Sequence, residues 1–323
     1  MLWQEESGLS GLVSRSYNKF VIKVGKKPSV ESNTFKLQTN YGSMIKHICI
    51  CGAGTMGAGI AQVSAQAGFD TIVYDVNKTA LGKAQHQIDK SLLTLESKGK
   101  LKEGDREEIA SRVRFTADLH DCIADLFIEA IAEKLEIKIS LFNELAKRNP
   151  ESIFASNTSS LSITNIAKAL PIPGNVAGLH FFNPAPLMKL VEIVTTTYTT
   201  DNTTKAILEV AGKMEKIAVI CKDSPGFIVN RVARPYYIES LRMVEENLAS
   251  CSEIDELLEA TGFRMGPFRL MDLIGNDINY AVSTSVYEQL GYPPRLQPSF
   301  IQEKKVLDGD LGKKTGRGYY DYH

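Results

Sequence analysis

The chain has 323 residues, of which 43% are hydrophobic and 23% are charged, and its formal net charge is -1. Its length predicts two domains, because one domain usually runs to roughly 100–200 residues, and its composition is that of an ordinary globular protein. The near-neutral charge argues against nucleic acid or an anionic membrane as a partner, since both attract strongly basic proteins.

Residues 1–43 differ from the rest and are predicted to be a leader outside the fold. They carry six basic residues against three acidic ones and end in Gly42-Ser43 ahead of Met44, which resembles a cloning junction. They lack the apolar core of a secretory signal. The five cysteines are scattered without metal-ligand spacing, so we expect no metal site and buried, reduced thiols. We therefore expect a cytoplasmic protein, or a mitochondrial-matrix protein if the leader is a native presequence.

From Met44 onward, short apolar runs alternate with helical segments, which predicts a Rossmann-type, doubly wound α/β domain in residues 44–222. The predicted strands are 48–51, 71–74, 113–115, 126–128, 153–155, 178–182, 190–194 and 218–220. The predicted helices are 56–67, 78–97, 103–111, 135–147 and 203–214.

The run Asp223-Ser224-Pro225-Gly226 breaks this alternation, and we place the domain boundary there. Residues 223–323 have helical periodicity almost throughout and are predicted to form an all-helical C-terminal domain. Ser252 is expected to cap a helix over residues 253–260, and Gly262 to end it. One face of the preceding long helix is predicted to be apolar, with the residues Ile228, Val232, Tyr236, Ile238, Leu241 and Val244.

A glycine-rich turn, Gly52-Ala53-Gly54-Thr55-Met56-Gly57, follows the first predicted strand. In this G-x-G-x-x-G pattern the first glycine permits the turn, the second admits a pyrophosphate, and the third lets helix and strand pack closely. Asp75 lies 18 residues after Gly57, at the end of the second strand. Its carboxylate suits a ribose 2′-hydroxyl and would repel a 2′-phosphate. The pattern therefore predicts a dinucleotide site for NAD rather than NADP.

His180 lies within an apolar strand, where an unpaired imidazole would be costly to bury. Glu192 lies twelve residues on, in the next strand, and the turn at 183–186 should fold the two strands together. A histidine oriented by a carboxylate is suited to take the proton from an alcohol that loses hydride to nicotinamide. On spacing alone, a hydrogen-bonded core histidine and an unrelated glutamate stay an open alternative.

Several ordered motifs make the chain similar to the 3-hydroxyacyl-CoA dehydrogenase family. They are FASNTSSL at 154–161, GLHFFNP at 178–184, KLVE at 189–192, DSPGFIVNR at 223–231, MGPF at 265–268 and GKKTGRGYY at 312–320. The resemblance runs from about residue 44 to residue 322. It implies that His180 is the general base, that Glu192 is its partner, and that Ser159 and Asn230 lie near the substrate oxygen.

The resemblance also implies residues for both ligands. On the cofactor side these are Ser159, Glu133, Lys138, Asn183 and Lys314, although Glu133 and Lys138 would also suit an ordinary charged pair at a helix start. On the coenzyme A side they are Ser159, Ser91 and Lys98, although Lys98 would also suit a solvated basic helix end.

The reaction implied is the reversible NAD-dependent oxidation of (S)-3-hydroxyacyl-CoA, with short acyl groups expected, by a homodimer that associates through its helical domain. The nearest alternative is a related dehydrogenase of a free hydroxy or sugar acid, such as L-gulonate. Lys98 favours the coenzyme A thioester. A non-catalytic dinucleotide-binding protein would be expected to lack one of His180, Glu192, Ser159 and Asn230, and all four are present.

Overall fold

The computed structural model describes residues 45–322, and the predicted leader lies outside them. The strands are β1 (His47–Cys51), β2 (Asp70–Tyr74), β3 (Val113–Thr116), β4 (Leu126–Glu129), β5 (Ile153–Ser156), β6 (Val176–Phe181), β7 (Leu190–Thr195) and β8 (Ile217–Lys222). The helices are α1 (Thr55–Gln66), α2 (Lys78–Ser97), α3 (Asp105–Ser111), α4 (Leu135–Ala146), α5 (Ile163–Lys168), α6 (Asp201–Lys213), α7 (Val229–Glu245), α8 (Cys251–Ala260), α9 (Pro267–Ile274), α10 (Asn276–Gln289) and α11 (Phe300–Leu307).

The eight strands form one sheet in the order β3-β2-β1-β4-β5-β6-β7-β8. The six strands from β3 to β6 run parallel to their neighbours, β7 runs antiparallel to β6, and β8 is parallel to β7. The connection from β6 to β7 is too short for a crossover helix, which is why this pair alone is a hairpin. Strand order reverses between β1 and β4, so a ligand crevice is expected at their carboxyl ends. The predicted doubly wound fold is confirmed.

The two faces of the sheet are buried under separate layers of helices. Ile48 and Ile50 of β1 pack into one apolar cluster, and Cys49 and Cys51 into the other, as the two-residue period of a strand requires. All four side chains are fully buried. Cys122 is also buried, and none of the three forms a disulfide. The expected buried thiols are confirmed for these positions.

The C-terminal region is helical, as predicted, but the apolar face predicted for α7 is wrong in its first half. Val232 is 72% exposed, and Ile228 is also exposed. The helix buries Arg234 and Tyr237, which were not predicted, together with the predicted Ile238 and Leu241, because α9 and α10 cover that face. Periodicity identifies the helix, whereas its neighbours decide which face is covered.

The predicted cap of α8 is also wrong by two residues. Ser250, not Ser252, accepts the N–H of Glu253, and the Glu253 carboxylate accepts the N–H of Ser250 at 2.8 Å. This reciprocal capping box requires a Ser-x-x-Glu spacing, which Ser250 has and Ser252 lacks. Among residues 45–322, no helix combines the length and apolar character needed to cross a membrane.

Candidate active site

The glycine turn lies at the carboxyl end of β1, and its glycines have different roles. Gly52 has a φ of +111°, and a Cβ there would lie 2.6 Å from the carbonyl oxygen of Ala130. A Cβ at Gly57 would lie 1.8 Å from the carbonyl oxygen of Gly52. At Gly54 a Cβ would meet no atom within 4 Å, so this position is open to a ligand. The turn and the N-terminus of α1 therefore fit a pyrophosphate.

Asp75 follows β2 and lies beside this turn. Its Oδ2 accepts the N–H of Ala53 at 2.8 Å, and its Oδ1 accepts the N–H of Asn77 at 2.9 Å. The carboxylate borders a mainly apolar cavity of about 430 Å³, which is lined by Gly52, Gly54, Tyr74, Asp75, Val76, Ala130, Ile131, Ala132, Ile137 and Leu141. An apolar lining suits adenine and a fixed carboxylate suits a ribose hydroxyl. The residues present therefore fit the adenosine half of NAD.

His180 on β6 and Glu192 on β7 are direct partners in the antiparallel register. Nδ1 of His180 lies 2.7 Å from Oε2 of Glu192, and both side chains are buried. The imidazole packs against the rings of Phe182 and Phe227, with centroids 4.5 and 5.8 Å away. Because Nδ1 is directed at the carboxylate, Nε2 is the nitrogen left for a substrate. The juxtaposition predicted from the turn is present.

The other oxygen of Glu192 lies at the beginning of α7. Oε1 accepts the N–H groups of Ile228 and Val229 at 3.0 and 2.9 Å. Burial by itself would raise the pKa of Glu192, but the hydrogen bonds from His180 and Val229 outweigh it and lower the pKa below the ordinary value. The carboxylate is therefore ionised and fixed at both oxygens.

The loop after β5 connects Ser159 to the strand of His180. Oδ1 of Asn157 accepts the N–H of Phe181 at 2.8 Å, next to His180. Asn230, in the first turn of α7, directs its Nδ2 at the carbonyl oxygen of Ser159, 3.5 Å away. The structure thus brings Ser159 and Asn230 together and ties their loop to β6.

Glu133 and Lys138 form an ion pair with 3.0 Å between Oε2 and Nζ. Glu133 also accepts hydrogen bonds from the hydroxyl of Thr158, the hydroxyl of Ser160 and the N–H of Ser159. Burial would raise the pKa of Glu133, but the charge of Lys138 and these hydrogen bonds lower it. In this structure the pair holds the loop that carries Ser159.

Glu129, at the end of β4, was not singled out from the sequence. Its fully buried carboxylate accepts hydrogen bonds from Lys138 Nζ at 2.5 Å, and from Ser156 Oγ and the N–H of Ile131 at 2.7 Å. Lys138 is itself 1% exposed, so its ammonium is enclosed between two carboxylates. The available signal was an acidic residue that ends an apolar strand at the carboxyl edge of the sheet.

Within residues 45–322, the remaining predicted residues make no hydrogen bond or ion pair with His180 or Glu192. Asn183 is exposed in the turn after β6. Lys314 pairs with Asp277, with 2.5 Å between Nζ and Oδ1. On α2, Ser91 is half-buried, and Lys98 is exposed just beyond the end of the helix.

Two family models match the chain in succession. Residues 47–224 match the 3-hydroxyacyl-CoA dehydrogenase NAD binding domain, and residues 226–322 match the C-terminal domain of the same family. The two matches meet at residue 225, a few residues before α7 begins.

Individual relatives agree with the family models. The chain is 44% identical over 281 residues to the 3-hydroxyadipyl-CoA dehydrogenase of Escherichia coli, which aligns 86% of this chain but only 59% of that protein. It is 41% identical to the mitochondrial hydroxyacyl-coenzyme A dehydrogenase of Sus scrofa, covering 86% and 92% of the two chains. The crystal structure of (S)-3-hydroxybutyryl-CoA dehydrogenase from Ralstonia eutropha superposes with a TM-score of 0.83 at 36% identity, covering 86% of this chain and 99% of that one. The chain belongs to the 3-hydroxyacyl-CoA dehydrogenase family of NAD-dependent oxidoreductases.

Proposed function

We propose that the protein interconverts (S)-3-hydroxyacyl-CoA and 3-oxoacyl-CoA, with His180 as the general base and Glu192 as its orienting partner. The observation that carries this proposal is the buried imidazole–carboxylate pair, 2.7 Å apart. It lies in a domain of the NAD-binding family type whose glycine turn and Asp75 fit a dinucleotide. The three relatives described above are all named for coenzyme A thioesters.

The geometry of the pair supports a proton path at His180. Glu192 accepts the hydrogen on Nδ1, so the lone pair of Nε2 faces the hydroxyl at C3 of the substrate. When Nε2 takes the hydroxyl proton, the ionised Glu192 stabilises the imidazolium that forms. The bound nicotinamide supplies the acceptor for the hydride from C3.

Ser159 and Asn230 are proposed to hold the reacting oxygen. The Ser159 hydroxyl and the Asn230 amide are neutral hydrogen-bond donors on facing elements, and neither requires activation for this role. Donors that are fixed before the reaction stabilise charge developing on oxygen without further rearrangement. Glu133, which accepts the N–H of Ser159, and Lys138 would keep this loop in place.

Ser91 and Lys98 are proposed to contact coenzyme A, and Asn183 and Lys314 to contact the cofactor. Ser91 and Lys98 are seven residues apart, which places them on one face of the helical segment, two turns from each other. Of these four residues, Lys98, Asn183 and Lys314 are exposed, and Ser91 is half-buried.

We also propose a homodimer formed through the helical C-terminal domain between residues 223 and 323. Large apolar side chains are exposed on this part of the chain: Val232, Leu248, Leu257, Phe263, Leu273, Ile278, Phe300 and Leu307. Exposed apolar surface of this kind often marks an interface. Sedimentation equilibrium should give twice the chain mass of 35.6 kDa.

We propose a cytoplasmic location, with the mitochondrial matrix as the alternative if residues 1–43 act as a presequence. Fluorescent fusions of the full chain and of residues 44–323 distinguish the two compartments. Matrix import of the full chain alone would establish the presequence and overturn the cytoplasmic assignment.

The test of the reaction follows NADH oxidation with acetoacetyl-CoA in the unmodified protein, His180→Gln and the exposed-histidine control His120→Gln. We expect rapid NADH turnover, a fall of about 10²–10⁴-fold in His180→Gln, and no change in the control. NADPH should be a poor reductant because Asp75 repels its 2′-phosphate. No turnover by a protein that binds NADH would overturn the thioester assignment and direct attention to free hydroxy acids.

A further inference from the structure

Arg234 is a buried arginine whose partners are all neutral. It is 3% exposed, and no acidic side chain among residues 45–322 forms an ion pair with it. Its Nε donates to the carbonyl oxygen of Asn230 at 3.0 Å, and its Nη1 to the carbonyl oxygen of Asn279 and the hydroxyl of Ser283, both at 2.9 Å. The guanidinium also lies 4.9 Å from the ring centre of Tyr237. A permanently charged group is therefore buried without a counterion.

One enclosed N–H donor at this place lacks an acceptor, namely Nδ2 of Asn279. The hydrogen bonds of Arg234 to the described residues run through Nε and Nη1, so Nη2 is left for another acceptor. Oδ1 of Asn279 accepts Nε2 of Gln302 at 3.2 Å, which fixes the orientation of the amide. Unsatisfied buried donors are rare in folded proteins. Burial also lowers the pKa of Arg234 to about 10, the direction expected where no anion compensates the charge. The cluster therefore offers a buried cation and an amide N–H to an anionic group.

This cluster adjoins the proposed reaction centre. Arg234 lies one turn after Asn230 on α7, and its guanidinium contacts α10. Both helices touch the loop after β5, because Asn230 reaches the carbonyl oxygen of Ser159 and Gln289 of α10 donates to the carbonyl oxygen of Ser160 at 2.8 Å. The helices that enclose the guanidinium therefore also border the loop expected to hold the substrate oxygen.

We propose that Arg234, with the amide of Asn279, binds the distal carboxylate of a dicarboxylic 3-hydroxyacyl-CoA. This inference rests on the proposed function and specifies its substrate class. A planar guanidinium and a neighbouring amide N–H match the oxygens of a carboxylate, with charge-assisted hydrogen bonds.

Helix geometry indicates the length of the acyl chain. Four residues of helix separate the Cα atoms of Asn230 and Arg234 by about 6 Å, and the Arg234 side chain folds back so that its Nε meets the carbonyl oxygen of Asn230. From the hydroxyl-bearing C3, three carbon–carbon bonds span about 4 Å, and a hydrogen bond adds about 2.9 Å. A six-carbon dicarboxylic chain therefore reaches the guanidinium while its C3 oxygen stays near Asn230.

An acyl chain of the same length without the carboxylate would leave the guanidinium unpaired. A site built to hydrogen-bond a substrate group discriminates against the analogue that lacks the group, because the buried donors then lose their partner. We therefore expect selection between chains of equal length to depend on Arg234.

The experiment compares kcat/KM for 3-hydroxyadipyl-CoA and 3-hydroxyhexanoyl-CoA, which share six carbons and differ in the terminal carboxylate. The proteins are the unmodified chain, Arg234→Met, Arg234→Lys and the control Arg242→Met, which changes a more exposed arginine on the same helix. Adipyl-CoA and hexanoyl-CoA, which lack the 3-hydroxyl, serve as inhibitors that measure binding without turnover.

We expect the unmodified protein to prefer the dicarboxylic substrate and inhibitor. Arg234→Met should lower kcat/KM for 3-hydroxyadipyl-CoA by about 100-fold, the order found when one partner of a buried charge pair is truncated. The same variant should change 3-hydroxyhexanoyl-CoA little, and Arg234→Lys should recover part of the preference. Arg242→Met should leave both substrates unchanged.

Two results would overturn the inference while leaving the proposed reaction in place. One is equal kcat/KM for the two substrates in the unmodified protein. The other is an equal loss for both in Arg234→Met, which would show a purely structural role. If Arg234→Met does not fold, the inhibitor preference of the unmodified protein and of Arg234→Lys decides the question. If acetoacetyl-CoA is turned over but neither six-carbon thioester is, the inference fails and the proposed function stands, whereas no turnover of any of the three means that the proposed function itself fails.

Discussion

The carboxylate of Glu192 and the imidazole of His180 meet across an antiparallel strand pair, with 2.7 Å between Oε2 and Nδ1. The other oxygen of the same carboxylate accepts two backbone N–H groups at the start of α7. Glu192 therefore connects β7 to the beginning of α7 and also orients His180, the residue that we propose takes the proton. A change at this carboxylate should affect the histidine before it affects the fold.

Glu192→Gln should lower kcat by about 10³–10⁴-fold with a small change in KM, as expected when a histidine is held in the wrong tautomer. The amide oxygen can still accept the N–H groups of α7, so the amide NH₂ faces the imidazole. Nδ1 must then accept, and Nε2 carries the hydrogen and cannot act as a base. Steady-state rates with acetoacetyl-CoA, and with the thioester alcohol in the reverse direction, measure the effect. The exposed Glu209→Gln is the control, and a Glu192→Gln protein that keeps its kcat would contradict the assigned role.

Gly54→Ala should weaken NADH binding without affecting stability. Gly54 has a φ of −74°, and a Cβ there meets no atom within 4 Å, so the folded chain tolerates alanine. The methyl group would occupy the space expected for the pyrophosphate, and we expect the Kd for NADH to rise by at least about 10-fold, or 1.4 kcal/mol. Gly82→Ala, also free of contacts but within α2, should leave Kd unchanged and stabilise the fold by about 0.5–1 kcal/mol. Fluorescence titration and thermal unfolding measure the two effects, and equal Kd values for the two variants would contradict the site.

Lys138→Met should lower the free energy of unfolding by about 3–5 kcal/mol, because it leaves the buried carboxylate of Glu129 without its cation. Glu129→Gln should cost less, because Glu133 still pairs with Lys138. The two charged atoms are 2.5 Å apart, and both side chains are buried. The double variant should lose clearly less than the sum of the single losses. Urea unfolding measures the three values. Strict additivity would mean that the pair is not coupled.

Stability should fall with acidification in a way that depends on Glu133. Its pKa is lowered in the folded state, as is the pKa of Glu192, so the unfolded chain binds protons more readily than the folded chain. The stabilisation is complete above the ordinary glutamate pKa of about 4.3 and is lost as pH falls through the lower, folded value. Urea midpoints from pH 7 to pH 3.5 should therefore fall less steeply in Glu133→Gln. Identical slopes would exclude this group as a contributor.

Much of the architecture follows from local patterns that tertiary packing reinforces. Each predicted strand is present, with its ends within two residues of the predicted bounds. This agreement arises because a buried parallel strand appears in the sequence as a short apolar run between turn residues. The pairing of His180 with Glu192 was predictable for the same reason, since a short proline-rich turn between two strands leaves few registers. The spacing of the glycines at 52–57 was sufficient to predict the turn after β1.

The features that were missed depend on contacts between distant segments. The enclosure of Lys138 between Glu129 and Glu133 was not predicted, because a strand end and the following loop supply the two carboxylates. Helical periodicity places Arg234 on α7 but does not show that the helix turns this residue inward. Only the packing of α7 against α9 and α10 determines which face is covered.

Single-turnover formation of NADH from (S)-3-hydroxybutyryl-CoA, protonated or deuterated at C3, is the decisive measurement of the role of His180. Enzyme in excess over substrate and saturated with NAD is followed by absorbance, in the unmodified protein and in His180→Gln. If His180 takes the hydroxyl proton as hydride leaves C3, the unmodified protein should show a rapid phase slowed by deuterium. In His180→Gln this phase should be slower by about 10²–10⁴-fold, with the deuterium effect retained. A rapid phase of unchanged rate in His180→Gln would contradict the account.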